Sequence, residues 1–460
     1  MTMQTVRTTA RNPRPHVLVV AYCFPPEGSI GTQRTLRLVR ELTARQWDVT
    51  VLTGTLATYP ASSPIDRDLV DRVPPGVEVV RAPVLRPFDR ASASIDSGRP
   101  KASSDQGPRK ISRLREGKRQ LQALLRIPDQ HVGWILPAVA KGIAAGLRRP
   151  PDVLYSTAPP WTGQLVARAL ASALGCPWVA DFRDPWARAP WREGWQPAAR
   201  RAAAVFERSI VGRADAVVFT TRTNMEEFSQ HYGAATAAKF HLVRNGCDRD
   251  EFEGLVPLPG DGRFTMLHAG SLYGGRKPTA LFAALAALRD RGVVDARSFC
   301  FRQIGRVALA GFDMAEERDR RGLQGMVEIL PAQPRRDILR EMISASCLLL
   351  LQPGTTVSIP GKLFEYLTAG RPILALAEEG ETSDIVRESG RGIAVLPEDQ
   401  PQIENAIEQL LKNARRAHAP AIADGDGELR TRELARVLES VCRAPLPSCA
   451  PAASPEGRTR

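Results

Sequence analysis

Apolar residues in this chain gather into short runs separated by stretches of helical period. Residues 17–22 form an apolar run of strand length, and a loop rich in Pro and Gly follows over 25–31. Leu36, Val39, Leu42 and Thr43 then recur at spacings of three and four, which places them on one helical face. Residues 48–53 are the next strand. Strand, glycine-bearing loop, helix and strand in that order open a doubly wound parallel sheet. The grammar returns with strands at 152–156, 177–182, 214–220 and 240–243, and with helices at 161–174 and 223–231. Asn245-Gly246 is a turn signal, and a domain boundary is placed near 240.

Beyond that point six more strand-length runs, at 264–269, 298–304, 326–330, 347–351, 372–377 and 392–396, are separated by helical patterns such as 279–288 and 336–343. They predict a second parallel α/β unit. The expected organisation is a flexible start (1–14), a first domain (15–240) with an irregular basic insertion at about 55–130, and a second domain (241–415). A helical segment (416–443) and a Pro- and Ala-rich tail (444–460) close the chain. Ligands of open α/β sheets bind at the carboxyl ends of the strands, so two such domains imply a site in a cleft between them.

Composition narrows the class. With 460 residues, 43% hydrophobic and 25% charged, the chain reads as a globular protein of more than one domain. No apolar run reaches membrane-spanning length. Arg7, Arg11 and Arg14 are not followed by an apolar stretch of signal type. Seven scattered cysteines without a Cys-x-x-Cys pair point to a reducing, cytoplasmic setting. The net charge of +13 suits nucleic acid, an anionic membrane or phosphorylated substrates. A nucleic-acid binder would use that charge, yet no helix-turn-helix, aromatic platform or zinc motif accompanies it.

Six short motifs bring a family into view. They are Phe24-Pro25-Pro26 with Gly28 and Gly31; Ser156-Thr157-Ala158-Pro159-Pro160; Asp181-Phe182-Arg183-Asp184-Pro185-Trp186; Asn245-Gly246; His268-Ala269-Gly270-Ser271; and Pro360-Gly361-Lys362-Leu363-Phe364-Glu365-Tyr366-Leu367. In this order and spacing, over about 17–411, the chain resembles a retaining glycosyltransferase of family 4. The resemblance implies the GT-B fold, two facing Rossmann-like domains with an interdomain cleft. It also implies transfer of a sugar from a nucleoside-diphosphate sugar to a small-molecule or lipid-linked acceptor, such as a polysaccharide or natural-product precursor. No cofactor and no essential metal are implied.

The residues carry chemistry of their own. Pro360 is tolerated in a helix's first turn, where it is expected here, and Gly370 followed by Pro372 ends that helix. Its first turn offers backbone N–H groups and a positive dipole end, suited to a diphosphate, and Lys362 adds a full charge. Leu363, Phe364 and Leu367 are its expected buried face, with Glu365 pointing elsewhere. The resemblance makes Glu365 the carboxylate that holds the ribose hydroxyls; a solvated helix face is the plain alternative. Gly270 permits close backbone approach, with Ser271 beside it, and Arg276 and Lys277 stand at the mouth of the next helix. Cations there would neutralise the departing diphosphate, or they are ordinary surface charge. Gly361 and Leu363 complete the expected donor set.

Gly28 and Gly31 would let backbone approach a phosphate or the acceptor, or simply make a tight turn. The Gly-x-Gly-x-x-Gly spacing of dinucleotide enzymes is absent. Asp181, Arg183 and Asp184 follow a strand, where they would position acceptor or donor sugar, or form a structural Asp–Arg pair. Two departures from the family pattern stand out. Ser271 occupies a position where many members have Arg, and Val357 one where many have the first of two glutamates. The Val357 departure opens a second reading, a GT-B subunit that binds donor and transfers nothing. An epimerase would share the architecture, but its cluster of acids and histidines is not found. Finally, basic residues from Arg109 to Arg126 interleave with Ile111, Leu114, Leu121, Leu124 and Leu125. Such an amphipathic helix at 109–127 would lie on an anionic membrane, at the inner face of the cell membrane, or pack on the first domain.

Overall fold

The computed structural model describes residues 14–59, 65–85, 127–189, 197–413 and 426–443. The expected flexible start, the tail at 444–460 and the basic helix at 109–127 lie outside these residues, apart from Arg14 and Ile127.

Two large sheets organise the chain. The first has seven strands: β1 (His16–Val20), β2 (Asp48–Gly54), β3 (Glu78–Ala82), β4 (Val153–Ala158), β5 (Trp178–Phe182), β6 (Ala216–Phe219) and β7 (Phe240–Leu242). Their spatial order is β3-β2-β1-β4-β5-β6-β7, and β1 pairs in parallel with both β2 and β4, as β2 does with β3. Every residue of β1, β4 and β5 is buried, the mark of strands covered on both faces by helices. The helix Ile30–Ala44 connects β1 to β2, and Thr162–Ala173 connects β4 to β5.

The second sheet holds the six strands expected from the sequence: β8 (Phe264–Ala269), β10 (Phe299–Ile304), β12 (Val327–Leu330), β13 (Cys347–Gln352), β14 (Ile373–Ala377) and β15 (Gly392–Val395). The order is β12-β10-β8-β13-β14-β15, all parallel. From β8 the chain builds outward through β10 and β12, then returns to place β13 on the other side of β8. The topological switch therefore falls between β8 and β13, where Met266 faces Cys347 and Leu267 faces Leu348. Loops after these two strands leave in opposite directions and open a crevice at their carboxyl ends. A two-stranded ribbon, β9 (Leu272–Tyr273) with β11 (Val307–Ala308), follows β8 and β10.

Contacts divide the chain into two compact units. One comprises Met1–Asp181, Trp195–Val217 and Leu434–Arg460, the other Phe182–Gly194 and Val218–Glu433. The helix Gly427–Val441 falls within the helical segment expected at 416–443.

Three local expectations need correcting. The irregular stretch at 55–130 contains a strand, β3, which escapes detection because it is a half-exposed edge strand with no clean apolar run. The helix Ile135–Arg148 was not foreseen either, because its Ala- and Gly-rich face closes on the helix Thr162–Ala173 through small residues rather than large apolar ones. Pro360 sits just before the helix Gly361–Ala369, as its cap, rather than in the first turn.

Candidate functional site

The second unit brings the loop after β8 and the start of the helix Gly361–Ala369 together. Their parent strands β8 and β13 are neighbours, so Gly270 and Lys362 meet although they are 92 positions apart in the sequence. Gly270 has φ +135°, and a β-carbon there would collide with Nζ and Cε of Lys362. Only glycine lets the lysine lie flat on the backbone at this point. Gly305, with φ +130°, closes the other side: its β-carbon would stand 2.6 Å from the Gly270 carbonyl carbon.

A buried polar relay holds this loop. His268, in β8, pairs through Nδ1 with Oε1 of Gln303 in β10 at 2.7 Å. Because an amide oxygen only accepts, Nδ1 carries the proton. Gln303 Nε2 in turn donates to the Gly270 carbonyl at 2.7 Å. Burial, and then the charges of Lys362 and Arg276, push the His268 imidazole well below its ordinary value, so it stays neutral. The Ala269 N–H donates to the Tyr366 hydroxyl at 3.0 Å, tying the end of β8 to the helix that carries Lys362.

Charge converges around Lys362. Burial pulls its ammonium down to about 8, with Glu365 drawing it back up and Arg276 pressing it further down. Arg276 lies over the Tyr273 ring at 4.3 Å from guanidinium carbon to centroid, and its Nη2 reaches Gln352 Oε1 at 3.3 Å. Gln352 Nε2 then donates to the Ser358 carbonyl at 3.3 Å, so one amide links Arg276 to the loop that leads into the helix. Among the described residues no side chain caps that helix start. Ser271 and Lys277 are exposed, and Gly361 and Leu363 occupy the first turn, with Leu363 buried.

Glu365 departs from expectation. It is buried, as are Leu363, Phe364, Tyr366 and Leu367, instead of lying on an open face. The cause is a partner that the motif does not reveal: Arg335 Nη1 donates to Glu365 Oε1 at 2.7 Å. The same guanidinium grips Glu251 Oε2 at 2.6 Å through Nη2 and 3.2 Å through Nε. Burial opposes the Arg335 charge, but the two carboxylates outweigh it and raise its hold on the proton.

Residues of the 24–31 and 181–184 stretches have hydrogen-bond partners within their own units. Asp181 has no exposed surface. Its carboxylate takes Arg34 Nε at 2.9 Å and Nη2 at 3.1 Å, the Tyr155 hydroxyl at 2.7 Å and the Thr157 hydroxyl at 3.0 Å. Both oxygens are engaged, three bonds on Oδ2 and one on Oδ1, so Asp181 has the geometry of a structural Asp–Arg pair, with Arg34 rather than Arg183 as partner. Arg183 and Asp184 are half-buried, and the Arg183 carbonyl accepts the Thr220 hydroxyl at 2.6 Å. At the helix Ile30–Ala44 the Glu27 carboxylate already sits over the start, accepting the Ser29 N–H at 3.1 Å, the Ser29 hydroxyl at 2.8 Å and the Thr32 hydroxyl.

Sequence reasoning missed Arg335, Glu251, Gln303 and Arg34, and it gave His268 a place in a motif but no role. Two carried a signal: His268 and Gln303 are polar residues near the ends of strands that are largely apolar.

Family models now settle the class. Residues 30–246 match the glycosyl transferase 4-like domain, and residues 263–413 match glycosyl transferases group 1. The chain belongs to the glycosyltransferases. Solved structures agree on the GT-B fold. Anabaena HepE in complex with UDP superposes on this glycosyltransferase with a TM-score of 0.60 at 14% identity, covering 93% of this chain and 100% of that one. Sucrose-phosphate synthase from Thermosynechococcus elongatus gives 0.58 at 16%, covering 93% and 97%. WaaG, a glycosyltransferase involved in lipopolysaccharide biosynthesis, gives 0.56 at 15%, covering 92% and 99%. No curated protein matches this glycosyltransferase in sequence. No helix among its described residues is long and apolar enough to cross a membrane.

Proposed function

We propose that this glycosyltransferase takes a sugar from a nucleoside-diphosphate sugar held in its second unit and passes it, with retention, to a hydroxyl acceptor. The observation that carries the reading is Lys362, laid across Gly270 at the uncapped start of the helix Gly361–Ala369, with Arg276 close enough to perturb it. Two cations and a helix N-terminus aimed at one place form a seat for a diphosphate. Lys362 supplies there the charge that Ser271 lacks. Glu365 Oε2 makes no hydrogen bond among the described residues and would accept from the ribose hydroxyls. Structures of Anabaena HepE hold UDP and UDP-glucose, which makes a nucleotide sugar the natural donor class to test first.

In the reaction the bond from the anomeric carbon to the diphosphate oxygen breaks, and a bond from that carbon to the acceptor oxygen forms on the same face. The acceptor's proton goes to the departing phosphate oxygen. Lys362 and Arg276 stabilise the charge that grows on the diphosphate, so the step asks for no metal and no protein base. Arg183 and Asp184 are the candidates for acceptor positioning, and the basic segment at 109–127 would bring a lipid-linked acceptor within reach by lying on an anionic membrane.

Calorimetric titration of UDP, GDP and ADP against the wild type, Lys362→Ala and Glu365→Ala tests the seat. One diphosphate should bind, and each substitution should weaken it about tenfold or more. Wild-type affinity in Lys362→Ala would remove the proposal. Liposome flotation with and without anionic lipid tests the membrane reading, and equal flotation in both would end it.

Val357 supports a second reading, in which donor is bound and nothing transferred. Its buried apolar side chain stands where many members have a carboxylate, and its carbonyl accepts the Thr221 hydroxyl at 3.1 Å. Donor binding without product, over a panel of acceptors, would favour it.

A further inference from the structure

Arg335 is electrostatically out of place on its own helix. It is the first residue of Arg335–Ser344, where the helix dipole disfavours a cation. It stays there because two carboxylates from separate elements converge on it: Glu365 from the second turn of Gly361–Ala369, and Glu251 from the short 3-10 turn Arg249–Phe252. The division of contacts is specific. Nη1 takes one oxygen of Glu365, while Nη2 and Nε both take Oε2 of Glu251. A planar guanidinium held on two edges cannot rotate, so the direction from which Glu365 Oε1 is gripped is set by Glu251. With Oε1 engaged by Arg335, Oε2 is the oxygen of Glu365 that accepts no hydrogen bond among the described residues.

We infer that Arg335 is a positioning residue for the donor site, anchored by Glu251, and that it turns the second oxygen of Glu365 toward the ribose diol of the nucleotide. This rests on the reading of Glu365 as the ribose contact. It adds that ribose selection belongs to a three-residue chain, Glu251–Arg335–Glu365, two members of which lie outside the motif. Without Arg335, Glu365 would keep its place on the helix, but nothing would hold Oε1, and Oε2 would no longer be turned toward the ribose hydroxyls.

The test uses the full chain. Whichever of UDP, GDP and ADP binds tightest to the wild type is titrated beside its 2′,3′-dideoxy form, against the wild type, Arg335→Met, Arg335→Lys and Glu251→Gln. The wild type should prefer the ribose form by about tenfold or more. Arg335→Met should lose most of that preference by weakening the ribose form alone, with the dideoxy form binding as before. Arg335→Lys keeps the charge but not the two-edged grip, and should retain only part of the preference. Glu251→Gln should fall between the wild type and Arg335→Met. A merely structural role for Arg335 would weaken both nucleotide forms together, and that result, or an unchanged preference in Arg335→Met, overturns the inference. If Arg335→Met does not fold, Arg335→Lys decides: wild-type preference in that variant counts against it. A wild type that binds ribose and dideoxy forms equally overturns the role of Glu365 itself. A wild type that binds none of the three overturns the donor-site reading and this inference with it.

Discussion

The ammonium of Lys362 lies against the α-carbon of Gly270, so closely that any β-carbon at 270 would occupy its place. The contact joins a strand-end loop to a helix start and puts the charge of one over the backbone of the other.

Gly270→Ala should therefore act twice. It strains a backbone at φ +135° and displaces Lys362. Expected are a loss of about 1–3 kcal/mol of stability and diphosphate binding weakened to the level of Lys362→Ala. Thermal unfolding and titration of each single variant and of the pair would check it. In the double variant the binding losses should not add, because both act through one ammonium. Additive losses would show that the two residues work separately.

The same ammonium makes diphosphate affinity depend on pH. Its value near 8 leaves Lys362 mostly charged at pH 7 and mostly neutral at pH 9. A lowered lysine binds an anion best below its own value, so affinity should fall as pH rises through 8, by roughly tenfold between pH 7 and pH 9. Titrations at several pH values in wild type and Lys362→Ala would decide. The variant should be flat across this range, and a wild-type curve equally flat would refute the assignment.

Gly305→Ala offers a check that leaves every charged group in place. Its β-carbon would press on the Gly270 carbonyl, the acceptor of Gln303 Nε2, and would strain a backbone at φ +130°. The expected outcome is a destabilisation of about 1–3 kcal/mol with weakened diphosphate binding. Wild-type binding would mean that the loop after β8 has slack the packing does not show.

Asp181 should behave as a structural residue. Removing its carboxylate takes the one carboxylate partner shown for the buried Arg34, and the acceptor of the Tyr155 and Thr157 hydroxyls. Asp181→Ala should cost about 3–5 kcal/mol in urea unfolding, and Arg34→Met with Asp181→Ala should cost less than the two single changes summed. Nucleotide affinity of the folded fraction should be unchanged. A stable Asp181→Ala protein that binds diphosphate but transfers no sugar would return Asp181 to the catalytic group.

Much of the fold was legible along the chain, and for a plain reason. Strands of a parallel sheet packed under helices are mostly apolar, so all six strands of the second sheet, from Phe264 to Val395, announce themselves. The edge strand Glu78–Ala82 does not, because half its surface faces water. At the site, Gly270, Lys362 and Glu365 carry local signals: a glycine at a strand end, a lysine and a glutamate one turn apart at a helix start.

Their partners were invisible. Whether Asp181 faces a ligand or a buried arginine depends on where the helix Ile30–Ala44 packs, and nothing within six residues of Asp181 says so. Glu365 meets Arg335 and Glu251 only because the sheet order sets the turns after Asn245-Gly246 and β12 beside the helix Gly361–Ala369. By itself the sequence determined the period of each element and the chemistry available at its ends, since both are properties of neighbouring residues. Tertiary structure decided which charges pair, which are buried and which oxygen of Glu365 is left over, because long-range contacts between strand-end loops follow from the order of strands in space.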